Sequence, residues 1–152
     1  MVTTLTKNVY LDVCSLCRSY DDQSFLRIKL ETIAVHLIFS AIEQKAYSLV
    51  YSPVHIKELS AMTDQVERYQ IFHLLRESGK FIVYDKEIGR KRAEELVSFG
   101  LGPADAAHLT FAEMALADFV TCDDRLYKKC SRLELKVWAG NPVAFCEKEG
   151  LK

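Results

Sequence analysis

Phe119-Val120-Thr121-Cys122-Asp123 reads as a short strand that runs out into a carboxylate. In an α/β chain, an acid placed after a strand lands at the carboxyl edge of the sheet, where open parallel sheets hold their ligands. The pattern recurs near the start of the chain, where Asp12 follows Asn8-Val9-Tyr10-Leu11. A third acid, Asp105, lies in Gly102-Pro103-Ala104-Asp105-Ala106-Ala107, in the first turn of an expected helix. Three such groups brought together repel one another, and each has its pKa raised unless a cation neutralises them. The economical occupant is a hard divalent metal held by oxygen ligands, Mg²⁺ or Mn²⁺.

Around these acids, short β-branched or aromatic runs alternate with longer segments of helical period, which argues for βαβ units and a parallel sheet. The spacing predicts strands at about Val9–Val13, Tyr47–Tyr51, Phe81–Tyr84, Phe119–Thr121 and Leu135–Trp138. It predicts helices at about Ser24–Ala46, Pro53–Ala61, Asp64–Ser78, Lys86–Phe99, Pro103 to near Ala117, Asp124–Cys130 and Val143–Glu149. Ser52-Pro53 is a helix start in two residues, a hydroxyl N-cap followed by Pro at the first helical position. In the long helix predicted at Ser24–Ala46, Phe25, Ile28, Ile33, Leu37, Ile38, Ala41 and Ile42 recur at three and four residues as an apolar face. Asp21 and Asp22 are placed to cap that helix. No repeat, low-complexity tract or linker interrupts the pattern, so one domain over residues 1–152 is expected.

Composition narrows the function classes. A chain of 152 residues with 49% hydrophobic content can bury a core of its own. No apolar run approaches a membrane span, and the N-terminus lacks the basic-then-apolar layout of a signal peptide, so a cytoplasmic protein with no membrane partner is expected. A net charge of −1 gives no global attraction to nucleic acid, which leaves only a local patch for that role. Of the five cysteines, Cys14 and Cys17 form a C-x-x-C without a second ligand pair, a weak zinc signal. An odd count without a secretion signal favours ordinary reduced thiols.

Each acid alone has a plain structural explanation: Asp105 suits a helix N-terminus, and Asp12 or Asp123 could be a cap or a solvated loop acid. Their recurrence at one sheet edge favours the metal. Glu58 joins them if its helix faces the cluster, the alternative being a solvated face beside Lys57. Asp124 is placed either to cap the next helix or to reach a metal through water.

Taken in order, Tyr10-Leu11-Asp12, Glu58 within Ser52-Pro53-Val54-His55-Ile56-Lys57-Glu58-Leu59, Asp105 within Gly102-Pro103-Ala104-Asp105-Ala106-Ala107-His108-Leu109, and Phe119-Val120-Thr121-Cys122-Asp123-Asp124-Arg125-Leu126 resemble a PIN domain. The likeness runs from Val9 to about Val143, and the best-known members of the family it resembles are the VapC toxins of bacterial toxin–antitoxin pairs. It implies a three-layer α/β/α fold with a central five-stranded parallel sheet, and a Mg²⁺- or Mn²⁺-dependent ribonuclease. It further implies metal ligands at Asp12, Asp105 and Asp123, with Glu58 as a ligand or water-orienting group and the Thr121 hydroxyl orienting a carboxylate. One departure stands out. Family members carry small polar residues after the first Asp, whereas Val13 and Cys14 follow here, and loss of such supporting groups weakens a metal site by ~10–100-fold. Ser15 is the available substitute.

The implied chemistry is phosphodiester hydrolysis on RNA. Arg125 and Lys128, just after Asp123, are the candidate phosphate contacts, and Tyr127 is placed to stack on a base. Lys86, Arg90, Lys91 and Arg92 read as a solvated face. The four histidines pair by spacing with no nucleophile; His108 reads as a core residue or a partner of Asp105. The apolar surplus on the predicted helices Ser24–Ala46 and Asp64–Ser78 suggests a homodimer face or a groove for a partner helix, and the resemblance implies an antitoxin whose basic segment enters the acidic pocket. Two other classes compete: a PIN-fold RNA- or protein-binding module with weakened catalysis, and a redox protein using Cys14 and Cys17.

Overall fold

The computed structural model describes residues 6–152. Its centre is a five-stranded, wholly parallel sheet of β1 (Lys7–Leu11), β2 (Tyr47–Tyr51), β3 (Gly79–Phe81), β4 (Asp118–Val120) and β5 (Ala139–Gly140), in the spatial order β3-β2-β1-β4-β5. The chain builds outward from β1 through β2 to β3, then returns to the other side of β1 for β4 and β5. The direction of winding therefore reverses between β1 and β4, and the crevice beyond the carboxyl ends of those strands is where such sheets bind ligands.

Among the described residues, eight α-helices cover the sheet: α1 (Val13–Leu16), α2 (Leu26–Glu43), α3 (Pro53–Ser60), α4 (Gln65–Ser78), α5 (Lys86–Ser98), α6 (Pro103–Met114), α7 (Asp124–Cys130) and α8 (Pro142–Glu149). β1 is buried on both faces, which explains its continuous apolar run. Val9 and Leu11 point into a core shared with α2, α4 and α8, whereas Tyr10 between them points into the core under α5, α6 and α7. The result is the three-layer α/β/α arrangement with a central five-stranded parallel sheet expected from the sequence. Arg92 pins α5 to α6 by donating from Nε and Nη2 to the buried Glu113 at 2.7 and 3.0 Å.

Several boundaries differ from expectation, each for a local reason. β1 stops at Leu11, because Asp12 caps α1 and Val13 begins that helix. β3 is Gly79–Phe81 rather than Phe81–Tyr84: α4 passes directly into the strand at Gly79, where a Cβ would meet Leu75 O at 2.6 Å and the Tyr51 ring at 2.9 Å. β5 is Ala139–Gly140 rather than Leu135–Trp138; Leu135 and Val137 spend their side chains on the α5–α7 core instead of a ladder. α6 ends at Met114, three residues before the expected limit, and Leu116 turns the chain at φ 51°. α2 starts at Leu26 with Phe25 at its cap position, while Asp22 accepts from Ser24 N–H in the preceding turn. Its buried face includes Glu31 and Thr32, and Phe25 and Ile33 of the expected apolar face are exposed. Glu31 goes inside because Arg18 donates to it from Nε and Nη2 at 3.2 and 2.8 Å.

Candidate acidic site

Leu11 and Val120 pair across β1 and β4, so the chain leaves both strands side by side at the switch point. Asp12 is the cap of α1: its Oδ1 accepts from Ser15 N–H at 3.1 Å and from the Cys14 thiol at 3.0 Å. Asp123 caps α7, its Oδ1 accepting from Arg125 and Leu126 N–H at 2.9 and 3.2 Å. Thr121 holds the loop between by accepting Asp123 N–H on its hydroxyl at 3.0 Å. Asp105, half-buried in the first turn of α6, accepts no hydrogen bond among the described residues. Glu58 on α3 is partly exposed, and its Oε1 takes Nε2 of His108.

These carboxylates feel one another. Burial raises the pKa of Asp105 above its ordinary 3.8, and the charges of Asp123, Asp12 and Glu58 add to the rise. Burial also raises Asp12, although hydrogen bonds from Thr121, Cys14 and Ser15 pull it back. Among the described residues, no three His, Cys, Asp or Glu side chains stand close enough together to form a metal's protein ligand shell. The donor set nevertheless suits Mg²⁺ or Mn²⁺: all oxygen, mutually repelling, and partly open to water. Mg²⁺ keeps several waters and needs only one or two direct carboxylates, so a wider crevice with water-bridged contacts fits its habits.

The supporting residues differ from those expected. Ser15 does hold Asp12, but through its backbone; its hydroxyl donates to Val120 O at 3.2 Å. Cys14, read as the loss of a polar group, supplies a donor itself. Asp124 neither caps α7 nor turns toward the acids, because its carboxylate is bound by the Arg27 guanidinium, which lowers its pKa. Arg125 and Lys128 are exposed on α7 and make no ion pair among the described residues. Burial pushes the Cys14 thiol far up and Cys17 to about 12, so neither is poised as a thiolate.

One group of residues was joined by contacts that sequence reasoning did not supply, although it read Ser52 as a helix cap and His108 as a core residue or a partner of Asp105. Beneath Glu58 lies a buried polar network of Tyr10, Ser52, His55 and His108. Tyr10 Oη is 2.6 Å from His108 Nδ1 and 2.7 Å from Ser52 Oγ. His55 Nε2 lies 2.7 Å from Leu11 O, and its Nδ1 accepts Ser52 N–H at 3.0 Å. Burial takes the His55 pKa down to about 3, so that ring is neutral. The available signal was Tyr10 itself: a tyrosine in a strand buried on both faces must find a partner for its hydroxyl.

A groove of about 880 Å³ runs elsewhere, along α4, where Tyr51, Ile56, Val66, Tyr69 and Phe72 form an apolar floor edged by Arg68 and Arg76, and no carboxylate among the described residues lines it. No helix among the described residues is long and apolar enough to cross a membrane.

No family model matches this sequence, and no curated protein matches it. Among solved structures, the crystal structure of FitAcB from Neisseria gonorrhoeae is similar to this chain at a TM-score of 0.56 and 13% identity, over 88% of this chain and 97% of that one. At that identity the likeness is one of fold, and it extends over nearly the whole of both chains.

Proposed function

We propose that the chain is a Mg²⁺- or Mn²⁺-dependent endoribonuclease and acts as the toxin of a type II toxin–antitoxin pair. The observation that carries the reading is the convergence of charge: Asp105, half-buried and without a hydrogen-bond partner among the described residues, has its pKa raised by burial and further by the charges of Asp123, Asp12 and Glu58 at the switch point of a parallel sheet. Such an arrangement is destabilising by itself and gains most from a cation. Asp12, Asp105 and Asp123 would hold the metal, directly or through water. When bound, the metal supplies a water of lowered pKa and neutralises charge on the phosphodiester. Glu58, held on one oxygen by His108, presents the other to orient that water. Arg125 and Lys128 lie exposed beside Asp123 and suit the flanking phosphates. A partner antitoxin, or a second copy forming a homodimer, would be sought on the apolar α4 groove and on exposed Leu26, Leu30 and Ile33 of α2.

The alternative reading, a PIN-fold module that binds RNA or protein without cutting, draws on the absence of a closed ligand group among the described residues. A labelled RNA incubated with the protein and Mn²⁺ separates the two. Mn²⁺-dependent cleavage that is lost in Asp105→Asn supports the nuclease; RNA retention without cleavage at any Mn²⁺ concentration supports the module.

A further inference from the structure

Tyr10, Ser52 and His108 are almost wholly buried, yet they are joined into a chain that ends on Glu58, an acid of the crevice with no backbone donor among the described residues. The direction of that chain follows from what each end is able to do. Glu58 Oε1 is a carboxylate oxygen and only accepts, so in the neutral ring His108 carries its proton on Nε2. His108 Nδ1 is then an acceptor, and Tyr10 O–H must donate to it across 2.6 Å. With its proton so committed, Tyr10 oxygen accepts from Ser52 Oγ–H at 2.7 Å. Ser52 N–H fills His55 Nδ1 at 3.0 Å and leaves the Ser52 hydroxyl only a longer 3.3 Å approach to the same atom, so the hydroxyl donates to Tyr10 over the shorter contact, and His55 in turn donates from Nε2 to Leu11 O. The hydroxyl protons of Ser52 and Tyr10 and the Nε2 proton of His108 thus run one way toward the carboxylate, while His55 turns its own back to β1.

We infer that Tyr10 and His108 are positioning residues for Glu58: the one-way donor chain from Ser52 holds Oε1 on the α6 side and leaves Oε2 to the crevice. His108 lies three residues after Asp105 on α6, while Glu58 belongs to α3. The same contact therefore sets how far Glu58 stands from Asp105. This inference rests on the reading of Glu58 as the water-orienting group. Its structural half, the donor chain, stands independently of any reaction.

The test has two arms. In protein labelled with ¹⁵N-histidine, the ring nitrogen shifts at neutral pH report which atom of His108 carries the proton. The expected result is a neutral Nε2–H ring in the wild type. The near-isosteric Tyr10→Phe should move the Nδ1 resonance and admit the other tautomer, and Glu58→Gln should move Nε2. A wild-type ring protonated on Nδ1, or on both nitrogens, overturns the chain. In the second arm, the side-chain amide of His108→Gln reaches toward the place of Nε2, whereas that of His108→Asn sits nearer Nδ1. Mn²⁺-dependent RNA cleavage should fall ~10–100-fold in kcat for Asn, be largely recovered for Gln, and leave Mn²⁺ affinity little changed in both. Equal losses in Asn and Gln would overturn the positioning role. If the wild type cleaves no RNA under conditions that load Mn²⁺, the proposed reaction fails, and the histidine tautomer still decides the chain.

Discussion

On the β1–β4 rim of the crevice, Asp12 and Asp123 stand at helix starts and are gripped by backbone N–H groups. On the opposite rim, Glu58 has no backbone donor among the described residues and is held by the His108 ring, itself set by Tyr10. The two solutions differ in what they depend on. A capping carboxylate is positioned by the helix it begins, so neighbouring side chains are replaceable as long as α1 and α7 form. A carboxylate held through a histidine depends on the identity of residues remote in sequence, since Tyr10 and His108 are 98 positions apart. Asp105 belongs to neither class. It has no hydrogen-bond donor among the described residues, and its ionisation is opposed by burial and by the other acids.

That contrast orders the substitutions. The largest effect is expected at Asp105: in Asp105→Asn, Mn²⁺-dependent RNA cleavage should fall by roughly 100-fold or more, the equivalent of about 3 kcal/mol of transition-state stabilisation. The same variant should raise the melting temperature of the metal-free protein, by ~2–4 °C for each kcal/mol of relieved repulsion. Lost activity together with gained stability, measured by single-turnover cleavage and thermal melts, is the signature of a carboxylate kept for a cation.

The pH dependence of stability follows next. Asp105 and Asp12 have folded-state pKa values raised above the ordinary 3.8. Between the unfolded and folded values the native state binds more protons, so their contribution is present below the unfolded pKa and is lost as pH rises through the raised ones. Denaturant melts of metal-free protein from pH 4 upward should therefore show a declining component that Asp105→Asn reduces and Mn²⁺ offsets. A wild type and variant with identical pH profiles would remove the electrostatic basis of the account.

Smaller still is the expected effect of Cys14. Cys14→Val removes a weak thiol donor from Asp12 but leaves Ser15 N–H in place, so Mn²⁺ affinity should drop by no more than ~10-fold, and Cys14→Ser should restore it. A loss in Cys14→Val as deep as that in Asp105→Asn would break the distinction between a backbone-held rim and one that depends on side chains. The mildest change is expected for Arg125→Ala combined with Lys128→Ala. If each contacts one phosphate, the slope of log affinity for single-stranded RNA against log salt should shrink by roughly 1.4.

Much of this arrangement was legible in the chain because it is local. Asp12 and Asp123 follow apolar strands, Ser52-Pro53 starts α3, and α7 spans Asp124–Cys130 as the pattern indicated. What was hidden was either long-range or chemically ambiguous. Leu135 and Val137 carry strand-like side chains but pack on a core without a ladder, a choice that depends on where β4 lies. His108 looked unpaired, since neither Tyr10 nor Glu58 is near it in sequence. Cys14 counted as a lost polar group because a thiol has the volume of a small apolar residue, yet beside a buried carboxylate its weak S–H becomes a useful donor. Arg27 drew Asp124 away from the site across 97 residues, which no local pattern indicates.

The central claim is that the crevice beyond β1 and β4 is built for a divalent cation. Calorimetric titration of Mn²⁺ into the metal-free protein, beside Asp105→Asn, tests it most directly. Saturable binding to the wild type that is absent or greatly weakened in the variant is the expected result. No binding to either protein, with or without RNA present, would contradict it.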